Sequence, residues 1–344
     1  LGRELRTVVA KATLAILVAL AVAAPPAALG TMGLGPFNFL PAPFGADGAS
    51  GVRADVPTWT VGTRWVYGLK GMAHQPFERL MFRGDLTITV SSVVPASESG
   101  VGAELYRLDL EAPLQGRAFG VARLPAGEVA VREGFLAGSQ WYRTDELSLV
   151  RESLDLSIKA SKDGVNFTLT LRVTHSYDPA LPVFAFPLEV GKAWDRTTTV
   201  GSKGTSVVAV EGPFGTYSST QSWDITYNRT GSARVVSYDN VTTPAGSFAA
   251  FHIVANAGRL GDHGDDDGEE ATDEEDGEQD DDSGDRRDSS GIPKGMTFAR
   301  LRFHPASHLW YSDEVDNAVA FRTHLPMGFA RVMLIGSLME YRPA

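Results

Sequence analysis

Residues Phe167-Thr168-Leu169-Thr170-Leu171-Arg172-Val173 put an apolar side chain at every second position. A chain with that period cannot bury one stripe as a helix, but as a strand it buries one whole face. The same alternation runs through Leu86–Ser91, Tyr106–Glu111 and Leu154–Lys159. Strands with one apolar and one polar face suit an antiparallel sheet that is wet on one side. Turn signals fall between them. Asp163-Gly164 separates two alternating runs and predicts a two-residue hairpin. Pro125-Ala126-Gly127 and Pro244-Ala245-Gly246 mark two further turns. The reading is all-β and mainly antiparallel, about sixteen short strands with few short helices. Phe77–Arg83 fits a short helix or the start of a long strand from Phe82 to Val93.

The chain of 344 residues has no cysteine. The sheet must therefore be held by an apolar core, and thiol chemistry, cysteine-ligated zinc and iron–sulfur clusters are excluded. The net charge of −11 is concentrated. Sixteen acidic residues and two arginines between Asp262 and Asp288 contribute −14, which leaves +3 for the rest. Like charges at that density prevent a core, so residues 260–292 read as a disordered acidic loop inserted in the β domain. The near-neutral remainder gives no basic footprint for nucleic acid. At the start, Arg3, Arg6 and Lys11 precede the apolar run Ala12–Ala24, and Ala28-Leu29-Gly30 offers a small-x-small cleavage pattern. Residues 1–30 thus read as a signal peptide or N-terminal anchor, followed by a Gly/Pro/Ala-rich linker over 31–55 and a β domain over 56–344. The location expected is extracellular or in the cell envelope.

Catalytic signatures are lacking: there is no nucleophile elbow, zinc helix, phosphate loop or dinucleotide fingerprint. No catalytic residue, cofactor or metal ligand is assigned. His304 and His308 lie four apart, but Pro305 argues against a helix that would align them. His74, His175, His252 and His324 receive no role. The acidic loop fits no calcium-loop register, which leaves only weak, delocalised binding of divalent cations. Asn166, Asn228 and Asn240 each begin an Asn-x-Ser/Thr triplet and are candidate glycan acceptors. The most specific feature is aromatic. Trp59-Thr60-Val61-Gly62-Thr63-Arg64-Trp65-Val66-Tyr67 is echoed by Val190-Gly191-Lys192-Ala193-Trp194, each with Gly three residues before Trp. A tight turn feeding a strand that opens on a buried ring explains the pattern. An internal duplication with a boundary near 180 would explain the echo. Trp65, Tyr67, Trp141, Trp194, Trp310 and Tyr311 are the residues expected to line an apolar ligand site if these rings do more than fill the core.

Phe186–Trp194, Val241–Phe248, Trp310–Val319 and Leu338–Tyr341 together resemble, in order and spacing, segments of the TapB-like family of uncharacterised exported archaeal and bacterial proteins. Trp59–Tyr67 resembles that family's opening strand. Asp316 stands where the family has Gly. More distantly the pattern is similar to the LolA/LppX lipoprotein-carrier fold. The resemblance implies a curved sheet or half-barrel around an apolar groove, holding a lipid or a lipidated partner without catalysis. Two other readings remain open: a structural or adhesive component of the cell surface, and a hydrolase with a dispersed site.

Overall fold

The computed structural model describes residues 51–74, 77–121, 128–213, 215–260, 307–327 and 330–344. The leader 1–30, most of the linker, the Pro125-Ala126-Gly127 turn, His304 and the acidic run 262–288 lie outside the described residues.

The alternating runs form thirteen strands among those residues: β1 Arg64–His74, β2 Phe77–Val94, β3 Leu105–Val121, β4 Glu128–Arg143, β5 Ser148–Lys162, β6 Val165–Pro182, β7 Ala193–Asp195, β8 Thr198–Gly212, β9 Gly215–Thr243, β10 Gly246–Leu260, β11 Ser307–Ser312, β12 Asn317–Met327 and β13 Ala330–Arg342. One short helix, α1 (Ala96–Ser99), interrupts them. Phe77–Arg83 belongs to strand β2. Described strands are fewer and longer than expected because several glycines lie within strands, as at Gly71 and Gly336, and do not break them.

All neighbouring strands pair antiparallel. The curved half-barrel expected from the resemblance is corrected to a closed barrel of twelve strands. Closure depends on the length of β9. Its first half pairs with β8, from Gly215 to Arg229. Its second half pairs with β10, from Arg229 to Thr243, and β7 covers the other edge there. Since β10 continues through β11, β12 and β13 to β1, the ring has no free end. A closed ring removes the unpaired edges that a half-barrel would expose.

The two expected turns that fall among the described residues, Asp163-Gly164 and Pro244-Ala245-Gly246, hold. Asp163 and Gly164 both have positive φ, 51° and 76°, as a twist-matched two-residue hairpin requires, and Lys162 pairs with Val165. Gly62 and Gly191 of the echoed motif also have positive φ, 99° and 92°. Asp316 takes a left-handed backbone at φ 55°, where glycine is at ease.

The two faces of the wall differ in kind. On β6, Phe167, Leu169, Leu171 and Val173 are buried, while Arg172, Thr174 and Ser176 are exposed. On β3, Leu108, Leu110 and Leu114 point inward, and Arg107, Glu111 and Gln115 outward. Outer ion pairs such as Lys159–Glu133 and Lys203–Asp224 decorate a surface built for water. A barrel that spans lipid is arranged the other way, apolar outside and polar within. Near one end the segment before β1 crosses the sheet. Ala54 bridges Leu188, and Trp59 donates its indole N–H to the Asp316 carbonyl at 2.8 Å. Trp59, Trp65, Phe184 and Leu188 pack there into the main core.

Candidate binding cavity

The inward face does not close completely on itself. A cavity of about 380 Å³ remains inside the barrel. Its walls are mostly aliphatic, with Leu110, Leu156 and Leu171 as examples, and Trp59, Tyr67 and Phe82 contribute rings. One arc of the wall, on β4, β5, β6, β9 and the link between β7 and β8, brings polar side chains to it, and Ser307, His308, Asn317 and Thr323 add others from β11 and β12.

Strand register assembles that polar arc. Continuous pairing from the Asp163-Gly164 hairpin sets Glu152 opposite His175, and Gln140 lies opposite Glu152 on the other side. The Glu152 side chain is 12% exposed and that of His175 10%. His175 Nδ1 lies 3.0 Å from Glu152 Oε1, so the proton sits on Nδ1, facing the carboxylate. The Tyr177 hydroxyl donates to the same oxygen at 2.7 Å. Gln140 Nε2 donates to Oε2 at 3.1 Å, and Tyr142 donates to the Gln140 carbonyl at 3.1 Å. Burial raises the Glu152 carboxyl, but the hydrogen bond and attraction of His175, with the donors Tyr177 and Gln140, outweigh it and hold the group below its ordinary value. Burial and the nearby carboxylate raise the phenols of Tyr142 and Tyr177, so both remain neutral donors.

Two arginines complete the arc. Arg196 enters from the β7–β8 link, where its backbone N–H donates to the Gly231 carbonyl. Arg229 stands where β9 changes partner from β8 to β10. Burial, then the Arg229 charge, brings the Arg196 guanidinium down to about 10. Its buried Nε has no hydrogen-bond partner. Among the described residues neither guanidinium has a carboxylate within ion-pair distance.

The six aromatic residues expected at a ligand site are dispersed. Tyr67 lines the cavity and donates to the Ala318 carbonyl at 2.8 Å. Trp65 is fully buried below it, bonded to the Val315 carbonyl, and stacks on Tyr341. Tyr311 is wedged between Phe184 and Phe186 in the core. Trp194 bonds the Pro182 carbonyl and packs on the edge of the core. Trp141 lies on the outer face, with the guanidinium of Arg151 over its ring at 4.3 Å. Trp310 stacks on His252 at 4.5 Å, and His252 Nε2 meets His308 Nδ1 at 3.0 Å. The histidine partner of His308 is thus His252, across the β10–β11 pair. Asn166, Asn228 and Asn240 are all exposed on strands.

Sequence reasoning missed Gln140, Glu152, His175, Tyr177, Arg196 and Arg229. A signal for some of them was present. His175 and Tyr177 continue the inward parity of Phe167–Val173, and Glu152 that of Leu154–Ile158. Comparison of the chain with protein-family models, curated proteins and solved structures finds no match.

Proposed function

We propose that this protein is an exported, non-catalytic binding protein that holds a lipid-like ligand inside its barrel. The observation that supports it is the apolar cavity itself, within a wall whose outer face is charged. Its volume lies at the lower end of the roughly 300–1,000 Å³ usual for small-molecule sites, and its lining, aliphatic with a few converging polar groups, is that of such a site. The basic residues Arg3, Arg6 and Lys11 ahead of the apolar run Ala12–Ala24 support the location. Native mass spectrometry of the purified protein, with solvent extraction, is the test. Co-purifying apolar molecules that dissociate on extraction are expected. A protein that carries none, and takes up no long-chain alcohol when offered one, would overturn the reading.

One observation favours a second reading. The Glu152–His175 pair is an acid–base couple, and Ser202 lies opposite His175 on β8. Acid, base and hydroxyl on three adjacent strands are the parts of an acyl-transfer site. Against it, the Ser202 hydroxyl accepts from the Trp223 indole at 3.2 Å and makes no hydrogen bond to His175. Hydrolysis of short-chain nitrophenyl esters that disappears in Ser202→Ala would favour this reading; turnover unchanged by that substitution would dismiss it.

A further inference from the structure

The polar arc is unevenly satisfied. Glu152 carries three donors and asks for nothing more. Arg196 and Arg229 face the same cavity, repel each other and lack an acid partner among the described residues. A buried guanidinium without an anion is costly, and replacing such a charge by an apolar side chain often stabilises a fold. Arg196, with its Nε buried, and the half-buried Arg229, facing one leucine-lined space, define a receptor for an anion joined to a hydrocarbon. Guanidinium suits this role because its planar fork matches carboxylate and phosphate oxygens.

We propose that the ligand is an anionic amphiphile whose carboxylate or phosphate head is held by Arg196 and Arg229, with its chain along the aliphatic wall of β3–β6. This rests on the binding reading above and names its ligand class. The head neutralises the repulsion between the two guanidiniums and supplies an acceptor for the buried Arg196 Nε. Tyr227, beside Arg229, adds a neutral hydroxyl.

The test compares dodecanoate, dodecyl phosphate and dodecanol, which share a chain and differ in the head, by calorimetry and by tryptophan fluorescence, since Trp59 lines the cavity. At least one anion should bind roughly ten-fold or more tightly than the alcohol, the worth of a charge-assisted hydrogen bond. Whichever anion binds better identifies the head as carboxylate or phosphate. Arg196→Met and Arg229→Met should each abolish the preference while dodecanol binding stays within about two-fold. The ligand-free Arg196→Met protein should also melt at a higher temperature than wild type, a gain that a structural arginine would not give. Should Arg196→Met fail to fold, that requirement is overturned and Arg229→Met decides the preference. Equal binding of anion and alcohol overturns the proposed head group but leaves the lipid-binding reading intact. Binding of none of the three overturns both.

Discussion

Glu152 shows how one carboxylate can organise the inside of a barrel. It is the common acceptor for His175, Tyr177 and Gln140, so removing it strands three donors away from water. Glu152→Ala should cost about 2–4 kcal/mol in denaturant unfolding. The pH dependence has a definite sign. The folded carboxyl titrates below its unfolded value, so its contribution is complete above the ordinary carboxylate range and is lost as pH falls through the lower folded value. Glu152→Gln should flatten the stability profile in that acid window. His252 acts at higher pH and with the same sign, since the fold again favours the deprotonated form, here the neutral imidazole. Burial and His308, against a weaker pull from Asp239, bring its imidazole down to about 4 from 6.5. Between those two values the unfolded chain binds the proton and the fold does not, so acid lowers stability across that window. Thermal melting should show wild type losing stability from pH 6.5 to 4, and His252→Gln losing less. The Glu152–His175 pair was partly legible in the sequence. The register of the Asp163-Gly164 hairpin, followed outward along β5 and β6, places Glu152 against His175. Two polar residues meeting on the apolar parity are a stronger sign of a site than exposed-looking aromatic pairs. Arg196 and Arg229 carried no such mark, because their meeting depends on β9 changing partners, which no local pattern encodes.

At the scale of strands, glycine and aromatic residues pair across the wall. Gly71 faces Phe82, Gly336 faces Phe321 and Gly204 faces Trp223. In each pair the ring lies over the glycine, where an added Cβ would come within 2.0 to 2.2 Å of a ring atom. The ring covers backbone that glycine leaves bare, a device that steadies sheets. This is why glycines that resemble strand breaks in the sequence lie inside long strands. Phe321 also lines the cavity and meets Tyr67 edge-on at 5.4 Å. Gly336→Ala should push that ring inward and destabilise the protein by about 1–3 kcal/mol, measured by chemical denaturation. The same displacement should reduce the space open to a bound chain. Period-two alternation and turn chemistry made β5 and β6 readable near the hairpin that joins them, but not out to Ser148 and Pro182. Strand β9 was not readable at its full 29 residues, since its outward positions carry Ser, Thr and Asn where a loop would carry them too.

The whole ring is closed by contacts between the two ends of the described chain. β1 pairs with β2 on one side and with β13 on the other. From β1, Trp65 and Tyr67 reach across to the carbonyls of Val315 and Ala318, some 250 residues away in sequence. β6 pairs with β8 over thirteen rungs from Asn166 to Asp178, so the wall is continuous across residue 180. Half-barrel and barrel share the same alternation; only long-range pairing separates them, so the sequence pattern left closure undecided. A single closed wall with its core inside should unfold as one unit. Tyr67→Phe removes a buried hydroxyl and leaves the Ala318 carbonyl without that donor, at a cost of about 1–2 kcal/mol. If the barrel is one cooperative unit, that loss at the seam shifts the urea midpoint seen by tryptophan fluorescence and by far-ultraviolet circular dichroism equally, with an unchanged slope. Of the six tryptophans, those at 59, 65 and 310 report the seam and the end cluster and those at 141, 194 and 223 report β4, β7 and β9, so the seam is followed with Trp141, Trp194 and Trp223 replaced by Phe, whereas dichroism reports every strand. Divergence of the two curves, with strand signal persisting after tryptophan exposure, would mean that β3–β8 hold together without the seam and that the halves fold separately.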